Sequence, residues 1–153
     1  MKICFLDNTN FQYNSNSLYH ENIRGAESVL INLTNALNFL GHEITIINNC
    51  PKNEIINGIR WININSKNII NDYDLVISNG DCNFFKHANA PKKILFSHSL
   101  QSIEKFIRKG QLLSYLKYKP KICFISNYHR KKRSSLISLF GNIDLRWSVD
   151  DIF

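Results

Sequence analysis

The chain has 153 residues, with 19 Lys and Arg against 12 Asp and Glu, a formal charge of +7, 44% hydrophobic residues and 20% charged ones. One domain of that size buries roughly 70% of its unfolded surface, so a core spanning 1–153 needs neither disulfides nor a structural metal, and stapled mini-proteins are excluded. No apolar run reaches the ~18 residues of a membrane span, and the apolar stretch Ile3 to Leu6 stops at Asp7, so neither a spanning helix nor a signal peptide is expected.

Lys2 to Asp7 is a short apolar run of the kind a strand shows when both sheet faces are covered. Asn8 to Arg24 is polar and aperiodic, and such a long loop in a compact domain is usually functional or mobile. Ala26, Val29, Leu30, Leu33, Ala36, Leu37 and Leu40 then form one apolar helix face, with Gly41 as a left-handed C-terminal cap and Glu27 as a partner of the helix dipole. Glu43 to Asn48 reads as a second strand. Asn57-Gly58 is a turn between Glu54 to Ile56 and a third strand, Ile59 to Ile64. Leu75 to Ser78, Lys93 to Ser97 and Lys121 to Ser126 are the fourth, fifth and sixth. Among them lie a weak helix from Cys82 to Ala88 and a longer one marked by Ile103, Phe106, Ile107, Leu113 and Leu116, which Gly110 kinks or splits. A last helix runs from Tyr128 to Phe140, capped by Gly141. Strands alternating with helices predict an α/β fold: a doubly wound, mostly parallel sheet of about six strands with helices on both faces.

Cys4, Cys50, Cys82 and Cys123 are far apart, with no C-x-x-C and no His at ligand spacing, so no metal is expected. Cys4 and Cys123 lie within apolar runs and read as core thiols of a reducing, cytoplasmic setting. The positive balance favours an acidic partner: a phosphate-bearing substrate, an anionic lipid surface or nucleic acid. Basic residues gather at Lys105, Arg108, Lys109 and Lys117, with Tyr115 and Tyr118 among them, and again from His129 to Arg133. Either group can be a solvated helix face, or can contact anionic lipid or a phosphate-bearing acceptor. Neither a strand-borne RNA-binding signature nor a recognition helix is present, so nucleic acid is not an expected partner.

In open α/β sheets ligands bind beyond the carboxyl ends of the strands. Here those ends are Asp7-Asn8-Thr9, Ser78-Asn79-Gly80-Asp81, Ser97-His98-Ser99 and Ser126-Asn127. Asn, Asp and Ser at such places also serve as turns and helix N-caps. His98 differs, since histidine caps poorly and its ring nitrogens both donate and accept near neutral pH. Gly25, opening the strongest helix, allows phosphates to approach that helix's unpaired amides. The G-x-G-x-x-G, Walker A and G-x-S-x-G patterns are all missing, which argues against a nicotinamide-cofactor domain, a nucleotide triphosphatase and an α/β-hydrolase.

Taken together, Arg24-Gly25-Ala26-Glu27, the helix to Leu40 and Gly41-His42-Glu43-Ile44-Thr45-Ile46 resemble the start of a family 4 glycosyltransferase of the GT-B fold. That family opens its first helix with Gly-Gly-x-Glu and places Gly-His-Glu before its second strand. Asp74-Leu75-Val76-Ile77-Ser78, Ile94-Leu95-Phe96-Ser97-His98, Cys123-Phe124-Ile125-Ser126 and Val149-Asp150-Asp151-Ile152-Phe153 resemble further family segments in the same order, so the likeness covers almost the whole chain. Arg24 stands where the family has its first glycine, and Ser78 where many relatives have His.

The resemblance implies the Rossmann-like N-terminal, acceptor-binding domain of a retaining glycosyltransferase, with the C-terminal nucleotide-sugar-binding domain lying outside these residues. By that likeness His98 is the catalytic residue near the transferred sugar, and Arg24 and Gly25 bind the donor diphosphate. Asn8, Tyr19, His20 and Asn79 meet the acceptor, a glycan or lipid-linked sugar. The nucleotide-sugar is a co-substrate, no metal or other cofactor is implied, and a C-terminal domain in cis or trans is the partner. Relatives of this kind build bacterial surface polysaccharide or glycolipid at the cytoplasmic membrane face, which agrees with peripheral contact to an anionic membrane through the basic groups. The alternative reading is a non-catalytic doubly wound binding or regulatory module, alone or associated with such a surface.

Overall fold

The computed structural model describes residues 1–19, 23–66, 72–97, 102–124, 126–132 and 135–144. Its strands are β1 (Lys2–Asp7), β2 (Glu43–Asn48), β3 (Glu54–Ile56), β4 (Ile59–Asn63), β5 (Leu75–Asn79), β6 (Lys92–Ser97), β7 (Lys121–Phe124) and β8 (Asn142–Asp144). Its helices are α1 (Gly25–Phe39), α2 (Ile103–Arg108), α3 (Leu112–Tyr118) and α4 (Asn127–Lys132), with 3-10 segments at Ser15–Tyr19, Cys82–His87 and Ser135–Ser138. The strands form one eight-stranded sheet in the order β3-β4-β2-β1-β5-β6-β7-β8, parallel throughout except for the β3–β4 hairpin.

Period-two alternation in β1 divides the core between the two faces. Ile3 and Phe5 pack with Ile44, Ile46 and Trp61 beneath Leu30 and Ile31 of α1. Cys4 and Leu6 face the other way, toward Phe85, Phe106 and Tyr115. All four cysteines are buried and outside any disulfide, and burial pushes the thiols of Cys4 and Cys82 well above the ordinary range and that of Cys50 up to about 11, which disfavours the thiolate at those three positions.

Local chemistry accounts for most boundaries. Gly41, with φ 84°, stops α1. Asn57 and Gly58, with φ 51° and 80°, take the two left-handed positions of the β3–β4 turn, where the Asn38 side chain donates to the Asn57 carbonyl at 2.9 Å. Gly110, at φ 62°, splits the expected helix into α2 and α3, which meet through the edge-on rings of Phe106 and Tyr115, 5.2 Å apart.

The sheet is wider than the six strands expected. β3 is a paired edge strand, and β8 adds to β7 although Ile143 is its only apolar residue, because an edge strand is supported from one side only. The helix expected from Tyr128 to Phe140 is two pieces, α4 and the Ser135–Ser138 segment. The second piece is held by the Tyr115 hydroxyl, which donates to the Ile137 carbonyl at 2.6 Å.

Candidate functional site: the cleft between β1 and β5

From β1 the chain builds outward through β2 and β4, then returns to the other side of β1 as β5. The connections therefore diverge beyond β1 and β5, and a crevice opens at their carboxyl ends. Asp7 closes β1 in register with Asn79, which closes β5, and the Asn79 side-chain amide donates to Asp7 Oδ1 at 2.9 Å. The Tyr13 hydroxyl donates to Asp7 Oδ2 at 2.7 Å. Asp7 is buried, and desolvation raises its pKa above the ordinary carboxylate value, against the opposing pull of the Tyr13 and Asn79 hydrogen bonds; the nearby Glu27 carboxylate adds to the rise.

The polar loop after β1 is thus anchored, not loose. Tyr13 is fully buried, edge-on to Trp61 at 5.8 Å, and its carbonyl accepts from Asn48 Nδ2 at 3.1 Å. Asn14 Nδ2 donates to Glu54 Oε1, and Asn49 Nδ2 to the Asn10 carbonyl, both at 2.9 Å.

The opposite wall is the first turn of α1. Arg24 precedes the helix in extended conformation and offers its amides no side-chain cap. Its guanidinium instead pairs with Glu27 and donates to the Thr9 hydroxyl, which itself donates to Glu27 Oε1 at 3.0 Å. The Glu27 side chain is 3% exposed, and its Oε2 has no hydrogen-bond partner among the described residues. The first helical hydrogen bond runs from the Ser28 amide to the Arg24 carbonyl, which leaves the amides of Gly25, Ala26 and Glu27 ahead of it.

Asp7, Asn8, Thr9, Arg24, Glu27 and Asn79, with Ala26, line one cleft of about 360 Å³. A neighbouring hollow of about 250 Å³ shares Asp7, Asn8 and Thr9 and reaches Asn49 and Phe84. Three of the residues expected from sequence, Asn8, Arg24 and Asn79, therefore meet in a single cleft; Asn8 is steadied there by donating to Asp81 Oδ2 at 2.9 Å. Gly25 begins α1 with no heavy atom within 4 Å of where a Cβ would stand, so packing does not demand glycine there. Tyr19 ends a 3-10 segment 83% exposed and is not among the lining residues. His20 and His98 lie outside the described residues.

Sequence reasoning assigned Glu27 to the helix dipole and not to the site, because a carboxylate in the first turn of a helix suits the dipole in any case. The available signal was the run of Thr9, Arg24 and Glu27 on either side of a loop that begins at a buried strand end. A second surface stands apart in character: α2 and α3 expose Ile107, Leu113 and Leu116 beside exposed Arg108, Lys109 and Lys117. Among the described residues no helix is long and apolar enough to cross a membrane.

No protein-family model, curated protein or solved structure matches the chain.

Proposed function

We propose that the chain is the acceptor-binding half of a retaining, family 4-like GT-B glycosyltransferase, a Rossmann-like, doubly wound domain acting with a nucleotide-sugar-binding domain in cis or trans. The observation that carries the reading is the convergence of Asn8, Arg24 and Asn79 with Asp7 and Glu27 on one cleft at the β1–β5 switch point. The motif order, Arg24-Gly25-Ala26-Glu27 at the first helix through Ser97-His98 after β6, supplies the class of reaction. In this reading the nucleotide-sugar diphosphate lies against Arg24 and the free amides at Gly25, since fixed donors and a cation suit a leaving group that gains charge. Asn8, Asn79, Tyr19 and His20 serve the acceptor, and His98 the transferred sugar.

The α2–α3 surface supports a membrane-side setting, because exposed apolar side chains between cations suit an anionic interface. A lipid-linked or surface-glycan acceptor is consistent with that. The test pairs ligand-observed NMR against UDP- and GDP-sugars with a transfer assay in the presence and absence of a nucleotide-sugar-binding domain. Weak sugar-nucleotide binding that His98→Ala diminishes, and transfer only when the second domain is supplied, are expected. Full turnover by this chain alone, or binding indifferent to His98→Ala, refutes the reading.

A further inference from the structure

We infer that the hollow beside the cleft seats one neutral sugar ring: Phe84 and Ile64 meet its C–H face, and the amides of Asn8, Asn10, Asn49 and Asn65 meet its hydroxyls. The inference deepens the proposed function by giving the acceptor a place, and rests on that reading only in calling the sugar an acceptor. The hollow, of about 250 Å³, opens at the carboxyl ends of three neighbouring strands. Asn8 and Asn10 follow β1, Asn49 follows β2 and Asn65 follows β4.

Asparagine is frequent in turns, where its side-chain oxygen takes up a nearby backbone amide. Asn14, Asn53 and Asn63 act in that way, accepting from the backbone amides of Asn16, Asn63 and Asn65. Among the described residues none of the four lining asparagines does. Asn8 and Asn49 instead commit their amide nitrogens to the protein, to Asp81 Oδ2 and to the Asn10 carbonyl, both at 2.9 Å. Each is thereby held with its oxygen left to accept. Asn10 and Asn65 are exposed and make no side-chain hydrogen bond among the described residues, so each offers a donor and an acceptor.

The apolar part is equally fixed. Phe84 and Ile64 are half-buried and pack against the core on their side of the sheet, and the Phe84 ring rests against His87 at 5.4 Å. A rigid apolar patch among neutral amides matches a pyranose, which carries C–H bonds on its face and hydroxyls around its edge. No Lys, Arg or His lines the hollow, and its one ionisable group, Asp7, is buried with Tyr13 and Asn79 on its oxygens, so a phosphate or carboxylate finds no cation there. A nucleobase could share the aromatic contact, but it presents its polar atoms along planar edges, whereas these amides come from three strand ends. The hollow shares Asp7, Asn8 and Thr9 with the Arg24–Glu27 cleft, so a ring seated here lies next to whatever that cleft holds.

The test follows the backbone amide signals of the full 153-residue chain by NMR during titration with methyl hexopyranosides, uridine and inorganic phosphate. Hexopyranosides should perturb the amides of residues 8–10, 49, 64–65 and 84 more strongly than uridine or phosphate does. Phe84→Leu, which keeps apolar bulk without a ring, should weaken hexopyranoside binding by about three- to ten-fold, and Phe84→Tyr should retain it. Asn65→Ala, at an exposed side chain, should weaken it by about five-fold and leave the rest of the spectrum unchanged, so one arm does not depend on a residue packed on the core. Tighter binding of uridine or phosphate at these amides, no perturbation of them by any hexopyranoside, or binding indifferent to both Phe84→Leu and Asn65→Ala overturns the inference. Each of those results leaves the glycosyltransferase reading to its own test, the nucleotide-sugar binding that His98→Ala diminishes. Hexopyranoside binding here with no nucleotide-sugar binding anywhere would keep the inference and sink that reading.

Discussion

The cleft and the α2–α3 surface carry opposite charge and opposite packing. At the cleft the polar groups are drawn inside: Asp7 and Glu27 are buried, Tyr13 and Asn79 donate to the two oxygens of Asp7, and Thr9 donates to Glu27 Oε1. On α2 and α3 the charges face solvent, and Lys105 is held below the ordinary lysine range by partial burial and by the neighbouring Lys109 and Arg108. The comparison shows that the net charge of +7 does not describe the site. Positive charge advertises an outer surface, whereas the concave region built by the sheet topology holds two carboxylates, Asp7 and Glu27, and one guanidinium, Arg24, which pairs with Glu27. Overall charge therefore speaks for the outer surface and not for what the cleft takes.

The sharpest way to break this contrast is to remove the buried anchor of the cleft. Tyr13→Ala deletes a fully buried ring packed on Trp61 as well as the donor to Asp7, and is expected to cost about 3–5 kcal/mol in urea unfolding. Leu113→Ala, at a side chain 81% exposed on α3, is expected to stay within about 0.5 kcal/mol of the parent. Equal losses at the two positions would show that the loop after β1 is not anchored as described.

Tyr13→Phe isolates the hydrogen bond. It leaves the buried Asp7 carboxylate with one donor fewer, an expected loss of about 1–3 kcal/mol. The pH dependence has a definite sign. Because folding raises the pKa of Asp7 above its ordinary 3.8, the folded chain holds more protons between the two values. This contribution is fully present below the unfolded pKa and is lost as pH rises through the folded one. Asp7→Asn should flatten that decline in urea midpoint, since the amide oxygen still accepts from Tyr13 without a charge to desolvate. A parent midpoint that climbs across the same window, with Asp7→Asn unchanged, would contradict the assignment.

These residues also mark how far the sequence could be read. β1 and β2 match their expected limits, and α1 and the β3–β4 turn lie within one or two residues of theirs, because apolar periodicity, Gly41 and Asn57-Gly58 each act over a few neighbouring residues. The strand-end rule placed Asn8 and Asn79, since parallel topology alone brings those tips together. Tyr13 and Glu27 escaped because their burial depends on partners distant along the chain, Trp61 and Asn48 for one and Thr9 for the other. β8 escaped for a related reason: three residues with one apolar side chain form a strand only where β7 offers an open edge.

On the outer surface the expected effect is on association, not folding. Lys109→Gln should weaken sedimentation with phosphatidylglycerol vesicles by about 1 kcal/mol, the usual contribution of one cation near an anionic surface, and leave phosphatidylcholine vesicles indifferent. Leu113→Ser should weaken it as well if apolar insertion accompanies charge. Unchanged affinity in both variants would reduce α2 and α3 to a solvated face.

The smallest effect separates folding from ligand contact at Gly25, which is not itself a lining residue but stands between the lining residues Arg24 and Ala26. Gly25 has no positive φ and its missing Cβ points into open space, so neither backbone conformation nor packing requires glycine. Gly25→Ala should then stabilise the chain by about 0.4–1 kcal/mol, because alanine loses less conformational freedom on entering the helix. A methyl group at the head of α1 would nevertheless stand where a ligand approaches the free amides. The variant is therefore expected to melt slightly higher and bind nucleotide-sugar more weakly. A gain in stability with undiminished binding would move the diphosphate away from Gly25, and a loss of stability would mean that glycine is there for the fold after all.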